Sequence, residues 1–296
     1  MSLRNTIEYI MNHPLSKGRV VSNLGRFALW QLRSRLSPAA SVFEFVSPAR
    51  LYARRGMTSA TGHLYVGLQE FEDMSFVIHV LRPGDLFLDV GANIGAYTVL
   101  ATAVAGADAI AFEPAEESRV WLERNITLNG MDRRVGVRRE AVGASAGEVR
   151  FSKGRDTTNS VVAADEPGDM VPITTLDEVC FARAPELVKI DVEGFETEVI
   201  KGSRELLKNP ALLGILMELN GAGQSYGFSD ADLVKDLLAH GFRMYSYAPF
   251  ERCLVPLRRL EDRRAGQDNV IFVRDGAAVE ARLASAENFS VRGWTI

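Results

Sequence analysis

Short, nearly continuous apolar runs punctuate the middle of this chain. Residues 86–90, 109–113, 187–191 and 214–218 each read as a buried strand, and 136–141, with Arg138, Arg139 and Glu140, reads as a further, more polar strand. Residues 94–105, 116–129, 197–208 and 230–240 lie between them and read as helices. Asn129-Gly130 is a helix stop, and Ser229 followed by Asp230 and Asp232 is a helix start. Strand and helix in alternation predict a parallel, doubly wound sheet. Residues 242–247 and 269–273 are strand-like with no helix between them, which predicts an antiparallel pair at the end. Residues 142–180 hold short β-like pieces at 148–152, 160–162 and 171–174, an inserted β-rich region near the site.

Residues 1–62 differ in character. Leu24, Phe27, Trp30 and Leu32 predict an amphipathic helix ending near Pro38, so this part reads as a mainly helical extension, with residues 63–296 forming the main domain. Arg19, Arg26, Arg33, Arg35, Arg50, Arg54 and Arg55 make the extension basic. The favoured reading is a solvated helix face packed on the domain through its apolar side; a binding patch for an acidic substrate or partner is the alternative. Residues 63–73 read as a connecting segment and 74–81 as a helix, with a turn at 82–85 feeding the first central strand.

Chemistry concentrates at strand ends. Asp89-Val90-Gly91-Ala92-Asn93-Ile94-Gly95 follows the first strand and opens a helix, the arrangement that brings a ligand against backbone N–H groups. Asp89 would repel a diphosphate, so the ligand expected there is neutral or cationic, which points to S-adenosylmethionine. Glu113-Pro114 closes the second strand. Glu113 stands at the offset where a carboxylate meets a ribose diol. Glu140-Ala141 offers an acidic and a small residue for an adenine amino group. Right-handed crossovers place the first and fourth strands side by side, so Asp89, Asp191 and Glu193 converge, with Glu218 and Asn220 from the fifth strand beside them. Asp191 is the first candidate to take a proton, with Glu193 and Glu218 behind it. Glu193 opens a helix, whose dipole is expected to hold its pKa low. Asp191, Glu218 and Asn220 could hold Mg2+; hydrogen bonding to substrate or within the fold is the plainer role. Of the four histidines, His79 and His240 read as packing and cap, His13 lies in the extension, and His63 alone could overhang the crevice.

Bulk properties restrict the class. Net charge is −4, hydrophobic residues are 47% and charged residues 24%, ordinary for a globular protein. Nothing in that balance calls for nucleic acid or an acidic membrane surface. No apolar run is long enough for a membrane span, and the N-terminus has no signal-peptide core. Cys180 and Cys253 make no disulfide framework, and a cytoplasmic setting is expected.

At these residues the chain resembles the FkbM family of methyltransferases. The resemblance rests on Asp89–Gly95, Phe112-Glu113-Pro114, Asn125 to Asn129, Thr175-Leu176-Asp177, Lys189-Ile190-Asp191-Val192-Glu193-Gly194, Lys201-Gly202, Met217-Glu218-Leu219 and Gln267-Asp268-Asn269. It spans roughly residues 64–273 and leaves out the extension. Phe195 stands where a smaller residue is common. The resemblance implies a Rossmann-like class I methyltransferase fold with a seven-stranded sheet and S-adenosylmethionine as donor. It further implies O-methylation of a small molecule or glycan, a sugar or polyketide-type product. By this resemblance Asp89, Gly91, Asn93, Gly95 and Glu113 bind the donor and Asp191 and Glu193 sit at the reacting end; the reading of the residues adds Ala92, Pro114, Glu140 and Ala141 to the donor set and Glu218 to the reacting end. Two rivals are a nicotinamide-dependent oxidoreductase, which predicts a Gly-x-Gly-x-x-Gly spacing absent here, and a non-catalytic donor-binding module.

Overall fold

The computed structural model describes residues 3–296 apart from 153, 155–157, 164 and 265. The chain opens with helices α1 (Leu3–Asn12) and α2 (Val20–Leu36), a hairpin of β1 (Ser41–Glu44) and β2 (Arg50–Ala53), then α3 (Thr58–Val66) and α4 (Phe71–Val80). There follow β3 (Leu86–Val90), α5 (Ala96–Val99), β4 (Asp108–Phe112), α6 (Glu116–Leu128) and β5 (Val135–Arg138). A side sheet comprises β6 (Ala141–Val142), β7 (Gly147–Phe151) and β8 (Asp169–Thr174). Next come α7 (Leu176–Val179), β9 (Leu187–Ile190), α8 (Glu196–Lys201), β10 (Gly214–Glu218), α9 (Asp230–Ala239), β11 (Arg243–Ala248) and β12 (Cys253–Pro256). The chain ends with β13 (Asn269–Val273), α10 (Gly276–Ala284) and a hairpin of β14 (Ser290–Val291) and β15 (Trp294–Thr295).

The main sheet runs β12-β11-β13-β10-β9-β3-β4-β5. It is the expected Rossmann-like sheet, with β3 and β9 adjacent and parallel and β13 antiparallel to both β10 and β11. It has eight described strands rather than seven, because β12 folds back on β11 as an edge hairpin. Side-chain alternation divides the core between the two faces. Phe87, Leu216 and Ile271 join α4, α5, α6 and α10 on one face. Leu88, Met217 and Phe272 join α8 and α9 on the other.

Several boundaries differ from the expected ones. Residues 63–73 are not a simple connection: His63 ends up inside α3, and α4 already starts at Phe71. The helix expected over 94–105 is α5 followed by a π-helical turn, Leu100–Val104. The strand expected over 136–141 stops at Arg138, and Ala141 belongs to the side sheet. The piece at 160–162 contributes a single bridge, Val161 to Phe151. The helix expected over 197–208 ends at Lys201, where Gly202 lets the chain approach the side sheet. The extension is not wholly helical, since it carries the β1–β2 hairpin. No helix among the described residues is long and apolar enough to cross a membrane.

The extension is fixed to the domain by an apolar cluster and by two asparagines. Ile10, Phe27, Trp30, Ala60 and Tyr65 pack with Ile94 of the glycine turn. Asn125 is fully buried; its Nδ2 donates to the Ile94 carbonyl at 2.8 Å and its Oδ1 accepts from Tyr52 N at 2.9 Å. One turn later, Asn129 exchanges two hydrogen bonds with the Arg50 backbone, each 2.8 Å. Both asparagines therefore satisfy the open edge of β2, which would otherwise leave backbone groups unpaired. Arg19 from the extension stacks 5.6 Å from the Trp294 ring, and Trp294 Nε1 donates to the Leu15 carbonyl at 3.1 Å.

A Cβ at Gly202 would lie 2.0 Å from the Gly143 carbonyl oxygen, a collision with backbone at the end of β6. Gly202→Ala is expected to lower unfolding stability by about 2 kcal/mol or more, read as a reduced urea midpoint. An unchanged midpoint would show that the side sheet yields freely.

Candidate active site

The chain turns sharply at the end of β3. Gly91 has φ 82°, and a Cβ on it would stand 1.8 Å from the Asp191 carbonyl oxygen. Glycine is demanded here by the approach of the neighbouring strand end, independently of any ligand. The N–H groups of the turn are all engaged within the protein. Gly91 and Ala92 donate to the Phe112 carbonyl at 3.1 and 2.9 Å, and Gly95 donates to the Ala92 carbonyl at 2.8 Å. Asn93 N donates to Glu113 Oε2, and Ile94 N to Asn93 Oδ1, both at 2.8 Å. The expectation that these N–H groups meet a ligand is therefore corrected. An anion would find no donor free in this turn, which suits a neutral or cationic occupant.

Glu113 is the partner that holds the turn. Its second oxygen accepts from Ala115 N at 2.8 Å, so each carboxylate oxygen has one backbone bond and retains capacity for another. Burial raises its pKa to about 7, although both backbone bonds and Arg119 favour the anion. Asp89 is buried, and its Oδ2 accepts from Thr98 Oγ1 at 2.6 Å while Oδ1 has no partner. Burial raises its pKa as well.

A cavity of about 590 Å³ opens at the carboxyl ends of β3, β4, β9 and β10, a size typical of small-molecule sites. Gly91, Ala92, Asn93, Glu113, Pro114, Glu140 and Ala141 line it, as do Asp191, Glu193 and Glu218. Asp89, Gly95 and Asn220 do not. Glu140 is held by Arg138 at 2.6 Å; burial works to raise its pKa, but the Arg138 bond and charge together with backbone hydrogen bonds outweigh it and keep the pKa low. The extension contributes Tyr9, Phe27 and Gln31 to the lining, and the side-sheet region contributes Phe151 and Val161. Phe195 also lines it, packed edge-on to Tyr226 at 5.5 Å.

Carboxylate oxygens of Asp191, Glu193 and Glu218 lie within 4.8 Å of one another. Lys189 Nζ is 2.8 Å from Asp191 Oδ2 and 5.0 Å from the centre of the Tyr97 ring. Burial disfavours charge on Lys189, but Asp191, Asp89 and Glu70 outweigh it and raise its pKa. Tyr97 in turn donates to Glu70 Oε2 at 2.5 Å. Glu193 is raised to about 7 by burial and by Asp191 and Glu196. This overturns the low pKa expected of a helix start: α8 begins only at Glu196, beyond Glu193, and burial with the neighbouring negative charge prevails. Burial, Asp191 and Glu193 raise Glu218 to about 9. Its Oε2 is buried without a partner.

Asn220 is exposed, and its Oδ1 accepts from Ala222 N at 2.8 Å. Glu193 therefore stands beside Asp191 and Glu218 where Asn220 was expected. Lys189 Nζ already occupies Asp191 Oδ2, and Asn220 stands off the cavity with its Oδ1 engaged, so the expected Mg2+ set of Asp191, Glu218 and Asn220 is not assembled. His63 reaches the cavity wall as expected, but it is buried and its ring is held locally, with Nδ1 within 3.2 Å of the Gly67 carbonyl and accepting from Gln69 N at 3.1 Å. His79 meets the Tyr247 hydroxyl at 2.7 Å. Lys189, Glu70 and Tyr97 have no role that the strand-end pattern alone predicts. Lys189 did carry a signal, a lone charge inside an apolar strand, which requires a buried partner. Nothing local marked Tyr9 or Gln31, which reach the cavity through tertiary packing.

This sheet order with a cavity at its carboxyl edge defines a Rossmann-like α/β fold. The chain belongs to the FkbM methyltransferase family: the family described as "Methyltransferase FkbM domain" matches residues 89–244. It is 30% identical over 132 residues to the hexuronic acid methyltransferase AglP of Haloferax volcanii, a match covering 42% of this chain and about half, 52%, of that protein. It also aligns with the FkbM methyltransferase of Methylobacillus flagellatus KT at 16% identity and a TM-score of 0.44, over 72% of this chain and 52% of that one. With the precorrin-6Y C5,15-methyltransferase of Geobacter metallireducens GS-15, identity is 13% and the TM-score 0.42, over 75% of this chain and 92% of that one.

The raised carboxyl groups make stability depend on pH. Glu218 holds its proton up to about pH 9 when folded but only to about 4.5 when unfolded. The folded state thus binds more protons between those values, and stability falls as pH rises through them. Thermal unfolding of the ligand-free protein is expected to show this fall, and Glu218→Gln to flatten it. The same slope in the variant would place the proton elsewhere.

Proposed function

We propose that this protein transfers a methyl group from S-adenosylmethionine to a hydroxyl oxygen of a small-molecule or glycan acceptor. The observation that carries the reading is the carboxylate cluster of Asp191, Glu193 and Glu218 in the same cavity as the glycine turn. One end of the cavity suits a cationic donor, and the other supplies groups that manage a proton. The relative AglP, by its name, methylates a hexuronic acid, which supports a sugar-like acceptor.

When bound, S-adenosylmethionine supplies an electrophilic methyl carbon on a positively charged sulfur. Gly91, Ala92 and Asn93, with Glu113, Pro114, Glu140 and Ala141, form its binding surface in this reading; Asp89 and Gly95 shape the turn from behind. Glu113 keeps acceptor capacity for a diol. At the reacting end, Glu193 takes the acceptor's hydroxyl proton as the oxygen–methyl bond forms and the methyl–sulfur bond breaks, its electron pair staying on sulfur. A base with a pKa near 7 is matched to that task at neutral pH. Glu218, protonated at neutral pH, donates a hydrogen bond that positions the acceptor. Asp191, tied to Lys189, holds the cluster's geometry. Tyr9, Phe27 and Phe195 exclude water. No step passes through a metal.

Calorimetry with S-adenosylmethionine and S-adenosylhomocysteine tests the donor. Micromolar binding of both is expected, unchanged by magnesium or EDTA. Binding of a nicotinamide cofactor in their place would overturn the reading. Glu193→Gln is expected to keep donor affinity and to lose turnover by about 10²- to 10⁴-fold. Wild-type turnover should rise with pH through about 7 as Glu193 loses its proton. A Gln variant with normal turnover would remove Glu193 as the base.

A further inference from the structure

Helix α2 is apolar on two sides. Its inner side buries Phe27 and Trp30, and Phe27 and Gln31 line the cavity. Its outer side exposes Val21 (86%), Leu29 (62%), Leu32 (59%) and Leu36 (78%). At 3.6 residues per turn these four, with Ala28 between them, form one stripe about 22 Å long. Arg33 and Arg35 fall on opposite flanks of that stripe, and Lys17 lies just before the helix. No ion pair among the described residues engages Lys17, Arg33 or Arg35.

Charge says what this face fits. The chain has no acidic residue between Glu8 and Glu44, although its overall net charge is −4. The first 62 residues carry nine Lys and Arg against those two glutamates, so the acidic excess lies wholly in the rest of the chain. A second copy docked two-fold on this stripe would set basic groups against basic groups with no carboxylate between them. An anionic bilayer surface satisfies both the leucines and the arginines. The apolar side chains enter the acyl boundary, and the Arg stems lie along it with their heads among the phosphates. We propose that the outer face of α2 docks this protein on an anionic lipid surface.

The test is co-sedimentation of the full chain with phosphatidylcholine vesicles that contain or lack phosphatidylglycerol. Binding is expected with phosphatidylglycerol, to weaken with salt, and to be weak without it. At about one kcal/mol for each basic residue at such a surface, Arg33→Gln with Arg35→Gln should lower partitioning by about thirtyfold. Leu29→Glu with Leu32→Glu should abolish it while circular dichroism stays unchanged, because both side chains already face solvent. Equal partitioning to both vesicle types would overturn the proposal. So would sedimentation equilibrium showing a dimer that the Leu variants disperse, which would assign the face to a second copy.

Discussion

The site depends on one close approach, the Cα of Gly91 against the carbonyl of Asp191. A side chain at position 91 would penetrate the end of the neighbouring strand. With hydrogen there instead, Asp191 N reaches the Val90 carbonyl at 3.0 Å and the parallel pairing of β3 with β9 continues to the strand tips. The glycine turn and the carboxylate cluster are thereby brought into a single cavity. Donor position and acceptor chemistry are coupled by backbone packing, which is stiffer than any side-chain contact.

The second organising feature is concentrated negative charge in a region poor in water. Lys189 is the internal counterion, shared among Asp191, Asp89 and Glu70. One ammonium cannot balance so many carboxylates, and the surplus appears as raised pKa values at Glu193 and Glu218. Strain of this kind suits a site that must take up a proton at neutral pH. It disfavours folding in the same pH range, so the same carboxyl groups weigh against stability where they serve the proposed chemistry.

The extension is part of the active-site architecture. Asn125 joins the glycine turn to β2 through two hydrogen bonds, and Ile94 of that turn packs into the extension's own apolar cluster. Other stretches of the family resemblance serve structure. Thr175 caps α7 and the Asp177 carboxylate accepts from the N–H groups of Glu205 and Leu206. Gln267 and Asn269 bond to Glu72 and Asp73 of α4.

The chain's own pattern was enough to determine the doubly wound sheet, the β3–β9 adjacency, the glycine turn and the strand-end residues of the cavity wall. These follow from local periodicity and from strand-end positions, which topology sends to one edge. Asp89, Gly95 and Asn220 were placed at that same edge, yet they fall off the cavity wall: Asp89 turns to Thr98, Gly95 packs against Leu122, and Asn220 bonds the backbone of Ala222. Only the tertiary structure decided that the turn's N–H groups are consumed internally, that Glu193 is raised rather than lowered, and that Tyr9 and Gln31 reach the cavity. The first and last depend on groups far apart in sequence, Phe112 and Glu113 beneath the turn and the docking of α1 and α2; the Glu193 shift comes first from burial, to which Asp191 and Glu196 add. Hydrogen-bond satisfaction and desolvation are sums over spatial neighbours, and no window of sequence contains them.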